Sequence, residues 1–401
     1  MNILILDMTH GGDILAEECI YNGHEVSCID IYHLASEEQI WRLTDLGVKF
    51  PNETSRNYDL VMMPAHCPDR FLNDVTSTYK ITFSRAVKEL ISDDRFRIEV
   101  TGVKGKTSLC YLLAHILSHS GMSVFLHTSR GEGPWVNGEH MIERITSIAP
   151  PSLLRIPQGY YDCIIAEVSL GGSGSADIAV ITNLTEDYGI AENTKKASEA
   201  KAEVLTGGIN IVCENEIEIW KRPTGSFRTY GNNIRIENEP RLGMPLHISF
   251  DHDGPHSAVL DGGYLSLQYI RSMDLAIEVC RAMNIGADDV AGALGTFRGV
   301  PGRGELSFSD NVWHITDRNP GVSAMSIRMT LSCLKKMDAL SNAFVIVDPV
   351  NKKVCEKLDA EEVLRTAKEF GVTVHFKDGT YPIVAPHGTD VIITFAKEGY
   401  Q

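Results

Sequence analysis

The residues Thr101-Gly102-Val103-Lys104-Gly105-Lys106-Thr107-Ser108 carry the strongest chemical signal in the chain. Glycines at 102 and 105 let backbone N–H groups close on an anion. The apolar positions that follow, Leu109, Leu112, Leu113, Ile116 and Leu117, recur at helical spacing. An alternating strand (Phe96, Ile98, Val100) enters the turn and that helix leaves it, which is the setting a phosphate loop requires; the helix N-terminus adds partial positive charge. Lys106 is placed to reach the β/γ-phosphates of ATP, and the Thr107 hydroxyl to ligate Mg²⁺. The expected cradle is therefore Gly102, Val103, Lys104, Gly105, Lys106, Thr107 and Ser108. The loop is shorter than the Gly-x-x-x-x-Gly-Lys form, which would need glycine where Val100 stands.

Strands and helices alternate nearly throughout, which predicts an α/β protein with mostly parallel sheets. Residues 2–6, 25–29, 60–63 and a run near Ile81 read as strands of a first unit, with the turn Thr9-His10-Gly11-Gly12 ahead of its first helix. Polarity rises at Ser92-Asp93-Asp94, and the turn-rich Gly299-Val300-Pro301-Gly302-Arg303-Gly304 marks a second break. Three domains follow, 1–92, 93–300 and 301–401, each of ordinary size. Strands are expected at 124–127, 163–167, 178–183 and 209–213 in the middle part, with a small antiparallel addition within 231–267. Val100, Glu167 and Asn183 each end a predicted strand, so the loops after them share the edge where open α/β sheets bind ligands.

Composition narrows the classes. The 401 residues hold 37 Lys+Arg against 53 Asp+Glu, a formal charge of −16 without a basic block, which argues against nucleic acid. No apolar run approaches the roughly 18 residues of a membrane span. Nine scattered cysteines without a Cys-x-x-Cys pair fit neither a disulfide framework nor a zinc knuckle, and indicate a reducing, cytoplasmic setting. A monomer and a homodimer are equally compatible with the sequence.

The short Thr-Gly-x-x-Gly-Lys-Thr loop resembles the ATP loop of the Mur ligase superfamily, and further motifs follow in family order. Glu167, in Ile164-Ile165-Ala166-Glu167, is similar to the family's Mg²⁺-binding glutamate. Thr182-Asn183-Leu184-Thr185-Glu186-Asp187-Tyr188 looks like Thr-Asn-x-x-x-Asp-His, with Tyr188 at the histidine position. Lys201 falls where the family carries a carbamylated lysine, although its lysine-rich neighbourhood would by itself suggest a solvated face. Arg303, within Phe297-Arg298-Gly299-Val300-Pro301-Gly302-Arg303, resembles the arginine that opens the last domain, and Asp317 the ribose-binding aspartate after it. The resemblance thus implies a Rossmann-like first domain, a central P-loop ATPase domain and a Rossmann-like third. It also implies Lys106, Glu167, Lys201 and Arg303 as catalytic groups and Thr107, Glu167, Asp187 and Lys201 as the Mg²⁺ set. Asn183, Arg303 and Asp317 join the ATP contacts. The stretch Tyr269–Met273 keeps neither asparagine of the usual adenine motif, and His247, His252 and His256 read as solvent-facing loop residues.

The reaction this implies is activation of a substrate carboxylate as an acyl phosphate, with release of ADP and phosphate. Met1–Gly12, Gly23-His24-Glu25-Val26 and the Val103-Lys104 loop filling resemble the branch of the family that closes a carbocyclic ring on a nickel tetrapyrrole. That resemblance implies a carboxylated nickel tetrapyrrole as the small-molecule substrate, nickel entering only as part of it. Residues 129–160, with Arg130, Trp135, His140, Arg144 and Arg155, form the expected macrocycle contact. Alternatives are an amide-forming ligase of the same fold, and a P-loop switch or metallochaperone; no Asn-Lys-x-Asp guanine motif supports the last.

Overall fold

The computed structural model describes residues 1–51, 57–73, 75–222, 224–349, 358–377 and 383–397. The chain divides into two compact units, Met1–Gly231 and Asn232–Gln401.

The first unit begins with β1 (Asn2–Leu6), α1 (Gly12–Tyr21), β2 (Glu25–Ile29), α2 (Glu37–Asp45), β3 (Asn57–Met63), β4 (Thr76–Thr82) and α3 (Phe83–Leu90). Its four strands form a parallel sheet in the order β2-β1-β3-β4. A larger sheet follows, built from β5 (Arg97–Thr101), β6 (Val124–Thr128), β7 (Gly131–Val136), β8 (Glu139–His140), β9 (Cys163–Glu167), β10 (Ile178–Ile181), β13 (Ile209–Cys213) and β14 (Ser226–Tyr230); its order is β14-β13-β10-β5-β9-β6-β7-β8. Between β10 and β13 lie a two-stranded ribbon, β11 (Gly189–Ile190) with β12 (Lys195–Lys196), and the short helix α5 (Ala197–Lys201); α4 (Lys106–His119) follows β5, and α6 (Ile217–Trp220) precedes β14. Strands β5, β6, β9 and β10 are buried on both faces, as a parallel sheet covered by helices demands, and in β5 that burial takes in the charged Arg97 and Glu99. Side chains of the two sheets share one core, with Ile3, Ile5 and Leu15 in the same cluster as Phe125, Ile164 and Val168.

The second unit opens with an antiparallel sheet, β15 (Arg235–Ile236), β16 (Leu246–Asp251) and β17 (Pro255–Leu260), then α7 (Ile270–Ala282) and α8 (Ala287–Thr296). It ends in β18 (Arg303–Ser309), β19 (Val312–Asn319), α9 (Ala324–Lys336), β20 (Ala343–Pro349), α10 (Ala360–Phe370), β21 (Thr373–Phe376) and β22 (Val391–Lys397). These strands order as β18-β19-β22-β20-β21, parallel except for β18.

Three local features bear on the site. Within residues 129–160, β7 and β8 extend the large sheet as an antiparallel hairpin, and a 3-10 turn spans Pro150–Arg155. Gly171-Gly172-Ser173 is buried, because the Ser173 N–H and hydroxyl both donate to the fully buried Glu99 carboxylate (2.7 and 2.5 Å). His252 is buried rather than solvent-facing, its Nε2 lying 2.7 Å from the Ile285 carbonyl. All eight described cysteines are free thiols; Cys355 lies outside the described residues. Among the described residues no helix is long and apolar enough to cross a membrane.

Candidate active site

Strand β5 delivers its last residue, Thr101, to the middle of the large sheet, and α4 leaves directly after Gly105. The turn works because two glycines take backbone that other residues avoid. Gly105 has φ +82 at the helix N-cap. Gly102 has φ +137, and a Cβ there would stand 2.0 Å from the Thr182 hydroxyl oxygen. The loop between them is pinned from the neighbouring strand. The Val103 N–H donates to the Asn183 carbonyl (3.1 Å) and the Lys104 N–H to Asn183 Oδ1 (3.2 Å). In return, the Thr182 hydroxyl (2.7 Å) and the Asn183 amide (2.8 Å) donate to the Lys104 carbonyl. Asn183 therefore positions the loop, a role that its place just after β10 explains.

Glu167 ends β9, the strand beside β5, paired with Val100. Its carboxylate is 3% exposed as a residue and accepts from the Thr107 hydroxyl (2.7 Å) and the Ser129 N–H (3.2 Å); Thr107 and Ser129 hydroxyls are 3.3 Å apart. Lys106 Nζ donates to the Gly102 carbonyl (3.2 Å) and stands 4.0 Å from Glu167 Oε1. Ser129 was not singled out from sequence; its signal is its position directly after β6, the next strand in the same edge.

Lys201 is the clearest departure from local sequence expectation. It is 1% exposed, not solvated, and its Nζ donates to the Gly102 and Ser169 carbonyls (2.9 Å each). Burial, reinforced by the nearby Lys106 charge, pushes its amine well below the usual lysine range, with Asp187 and Glu167 acting the other way. Asp187 accepts from the Ser198 N–H (2.9 Å) and hydroxyl (2.8 Å), so it anchors the start of α5, whose last residue is Lys201. The structure thus gathers Lys106, Thr107, Glu167 and Lys201 around one loop, with Asp187 behind them.

Arg303 and Asp317 belong to the second unit, where they face each other across β18 and β19. Gly304, φ +63, forms the bulge that follows Arg303, and Tyr269 holds the Arg303 carbonyl (2.9 Å). Asp317 is buried and accepts from the Asn319 amide (2.6 Å).

The hairpin residues expected at the macrocycle are largely engaged. Arg144 pairs with the buried Glu132, which also meets His127, and Arg155 pairs with Glu17. Trp135 is buried edge-on to Tyr111, and His140 Nδ1 lies 2.9 Å from the Tyr111 hydroxyl. These groups fasten the hairpin to α4 and α1.

The MurF ligase of Thermotoga maritima, solved with ADP, has the same fold, with a TM-score of 0.57 over 93% of this chain and 91% of that one at 13% identity. No protein-family model matches the chain. The protein is an ATP-dependent ligase with the Mur ligase architecture. In sequence it is similar to the coenzyme F(430) synthetase of Methanosarcina acetivorans, 29% identical over an alignment that covers 92% of this chain and 88% of that protein. The coenzyme F(430) synthetase of Methanocaldococcus jannaschii is 27% identical, with the same coverage of both chains.

Proposed function

We propose that the protein uses MgATP to activate a propionate carboxylate of a nickel tetrapyrrole and close a carbocyclic ring on it, as the names of its full-length relatives suggest. The observation that carries this reading is the convergence of Lys106, Thr107, Glu167 and Lys201 on one loop, within a chain of which 92% aligns with coenzyme F(430) synthetases.

The donor set suits Mg²⁺: a carboxylate and two hydroxyls, all oxygen, beside a loop built for phosphate. Thr107 and Glu167 would hold the ion, which supplies charge neutralisation at the transferring phosphoryl group. Lys106 lies one residue past the cap, so its ammonium can follow the γ-phosphoryl as it passes to the carboxylate. A macrocycle carbon then displaces phosphate from the acyl phosphate and loses its proton, so that a new carbon–carbon bond replaces the acyl–oxygen bond. By resemblance, Arg303 is assigned to phosphate and Asp317 to ribose, and a division into 1–92, 93–300 and 301–401 accompanies those roles.

Lys201 is suited to carbamylation. The amine it presents is shifted toward the neutral form, the form that adds CO₂. A carbamate nitrogen keeps one N–H, so one of its two carbonyl bonds would be given up and a carboxylate gained beside Asp187.

The test is incubation with MgATP and seco-F-430, following ADP and product mass. The expected product is lighter than its substrate by one water and forms only with ATP. A product heavier by an amine building block would instead establish an amide ligase, and ATP hydrolysis indifferent to any tetrapyrrole would overturn the substrate assignment.

A further inference from the structure

A second constellation sits at the turn between β1 and α1. Asp7, at the end of β1, is fully buried and has φ +89, a backbone region that aspartate occupies at a cost. Its Oδ1 accepts from the Thr9 N–H (2.7 Å), and Oδ2 accepts from the His10 N–H (3.2 Å) and faces His10 Nδ1 at 2.6 Å. Strand β3 lies beside β1, and the turn after it brings the His66 ring to 4.4 Å from that of His10, at 78°. Tyr32, beyond β2, stacks on His66 at 5.8 Å and meets His10 edge-on at 5.6 Å. One ligand atom from each of Asp7, His10 and His66 lies within 4.8 Å of the others.

Three features point to a cation. Asp7 is a buried carboxylate whose ion-pair partner, among the described residues, is a histidine rather than a lysine or arginine; buried anions need a compensating charge. Among the described residues no hydrogen bond holds the His66 ring, although it is half-buried beside that carboxylate. The spacing is also close to a coordination sphere: two ligands at about 2.1 Å from one ion stand at most about 4.2 Å apart, so a small side-chain rotation completes the set. Position matters too. Ala65, next to His66, packs with Leu170, Ala197 and Ala200, the last adjoining Lys201, so this turn lies beside the edge that holds the phosphate loop.

We propose that Asp7, His10 and His66 bind a borderline divalent metal ion of the Ni²⁺, Co²⁺ or Zn²⁺ class through imidazole nitrogen and one carboxylate. Two imidazoles and a single carboxylate favour such ions over Mg²⁺ or Ca²⁺, which prefer oxygen alone. The metal can come from two sources. A free ion takes all three side chains. A nickel already held in a macrocycle offers only an axial position, which His10 fills while Asp7 fixes its other nitrogen; this second source rests on the proposed reaction, the first does not.

The experiment uses the full chain in two arms. In the first, Co²⁺ is titrated in excess Mg²⁺, which saturates the oxygen site at Glu167, and binding is read by equilibrium dialysis and visible absorption. One Co²⁺ per chain is expected, weakened at least about tenfold in His10→Gln and in His66→Gln. In the second, nickel(II) uroporphyrin is added and its Soret band followed. A shift that His10→Gln abolishes and His66→Gln retains identifies the chelated source, with metal-free uroporphyrin as control. Asp7→Asn keeps an acceptor for the Thr9 N–H and should weaken either arm should a histidine variant fail to fold. Equal Co²⁺ uptake by wild type and variants, together with an unmoved Soret band, overturns the site. A tetrapyrrole that fails to stimulate ATP turnover would sink the proposed reaction and leave the Co²⁺ arm untouched.

Discussion

The turn after β1 and the turn after β5 are built alike. Each follows a strand with parallel neighbours on both sides, and each ends in a left-handed glycine that starts a helix, Gly11 at φ +91 and Gly105 at φ +82. Each also contains a glycine that no other residue could replace without collision. A Cβ on Gly12 would stand 1.8 Å from the Asp7 carbonyl oxygen, and one on Gly102 would stand 2.0 Å from the Thr182 hydroxyl. The side chains then part company. The β5 turn also spends two amides internally, Val103 and Lys104 on Asn183, but that partner is neutral and Lys106 follows at once, so its cation and the start of α4 suit an anion. In the β1 turn the Thr9 and His10 amides are already taken by the protein's own carboxylate, Asp7, which leaves a buried carboxylate flanked by imidazole. A common backbone device is thus suited to an anion or to a cation by the side chains set around it.

The sharpest way to break that contrast is to remove the cation. Lys106→Ala should lower ATP-dependent turnover by at least about a thousandfold, the scale on which phosphoryl-transfer cations act. Thermal unfolding should move far less, because removing Lys106 also relieves the like charge it places beside the buried Lys201 amine. A loss of tenfold or less would mean that the β5 turn does not serve the transferring group.

Filling the two glycines sharpens the comparison at smaller cost. Gly102→Ala and Gly12→Ala should each destabilise the fold by about 1–3 kcal/mol, because in both the clash is with backbone or a short, fixed side chain. Their ligand effects should separate. Gly102→Ala pushes the loop off Thr182 and should weaken ATP binding measured by calorimetry, whereas Gly12→Ala should leave ATP affinity within about threefold and weaken Co²⁺ instead. Equal loss of ATP affinity in both would show the turns to be one site.

Legibility follows the same division. The β5 turn was readable because Gly102, Gly105, Lys106 and Thr107 fall within one short stretch flanked by a strand and a helix. Glu167 was reachable from its place at a strand end. Lys201 had a role by resemblance but a surface by composition, since its burial depends on α5 folding back under Gly102 and Ser169, which no local pattern encodes. The Asp7, His10 and His66 group needed the β1–β3 pairing to exist before it could be seen, because some sixty residues separate its members. Arg144 and Arg155 show the opposite case: their charge is visible in the sequence, whereas their partners Glu132 and Glu17 are contributed by folding.

The helices that leave the two turns are also held differently, and this yields the smallest effect. Helix α1 is fastened by ion pairs, Glu17 with Arg42 and Arg155. Helix α4 is fastened to the hairpin through Tyr111 and a neutral imidazole, His140. Burial, with Arg130 and His127 adding to it, lowers the His140 pKa from 6.5 to about 4. The unfolded chain therefore takes up a proton at this histidine before the folded one does. Its contribution to stability is complete above pH 6.5 and is lost as pH falls toward 4, with a slope of up to one proton. Glu99 and Glu203, whose pKa values burial raises, act in the opposite sense over the same range, so the absolute curve mixes both. The difference between wild type and His140→Gln isolates the histidine. In denaturant unfolding between pH 7 and 4, the variant should start less stable and lose less on acidification. Parallel curves would mean that His140 is already solvated in the folded state, and that α4 is held by its apolar face alone.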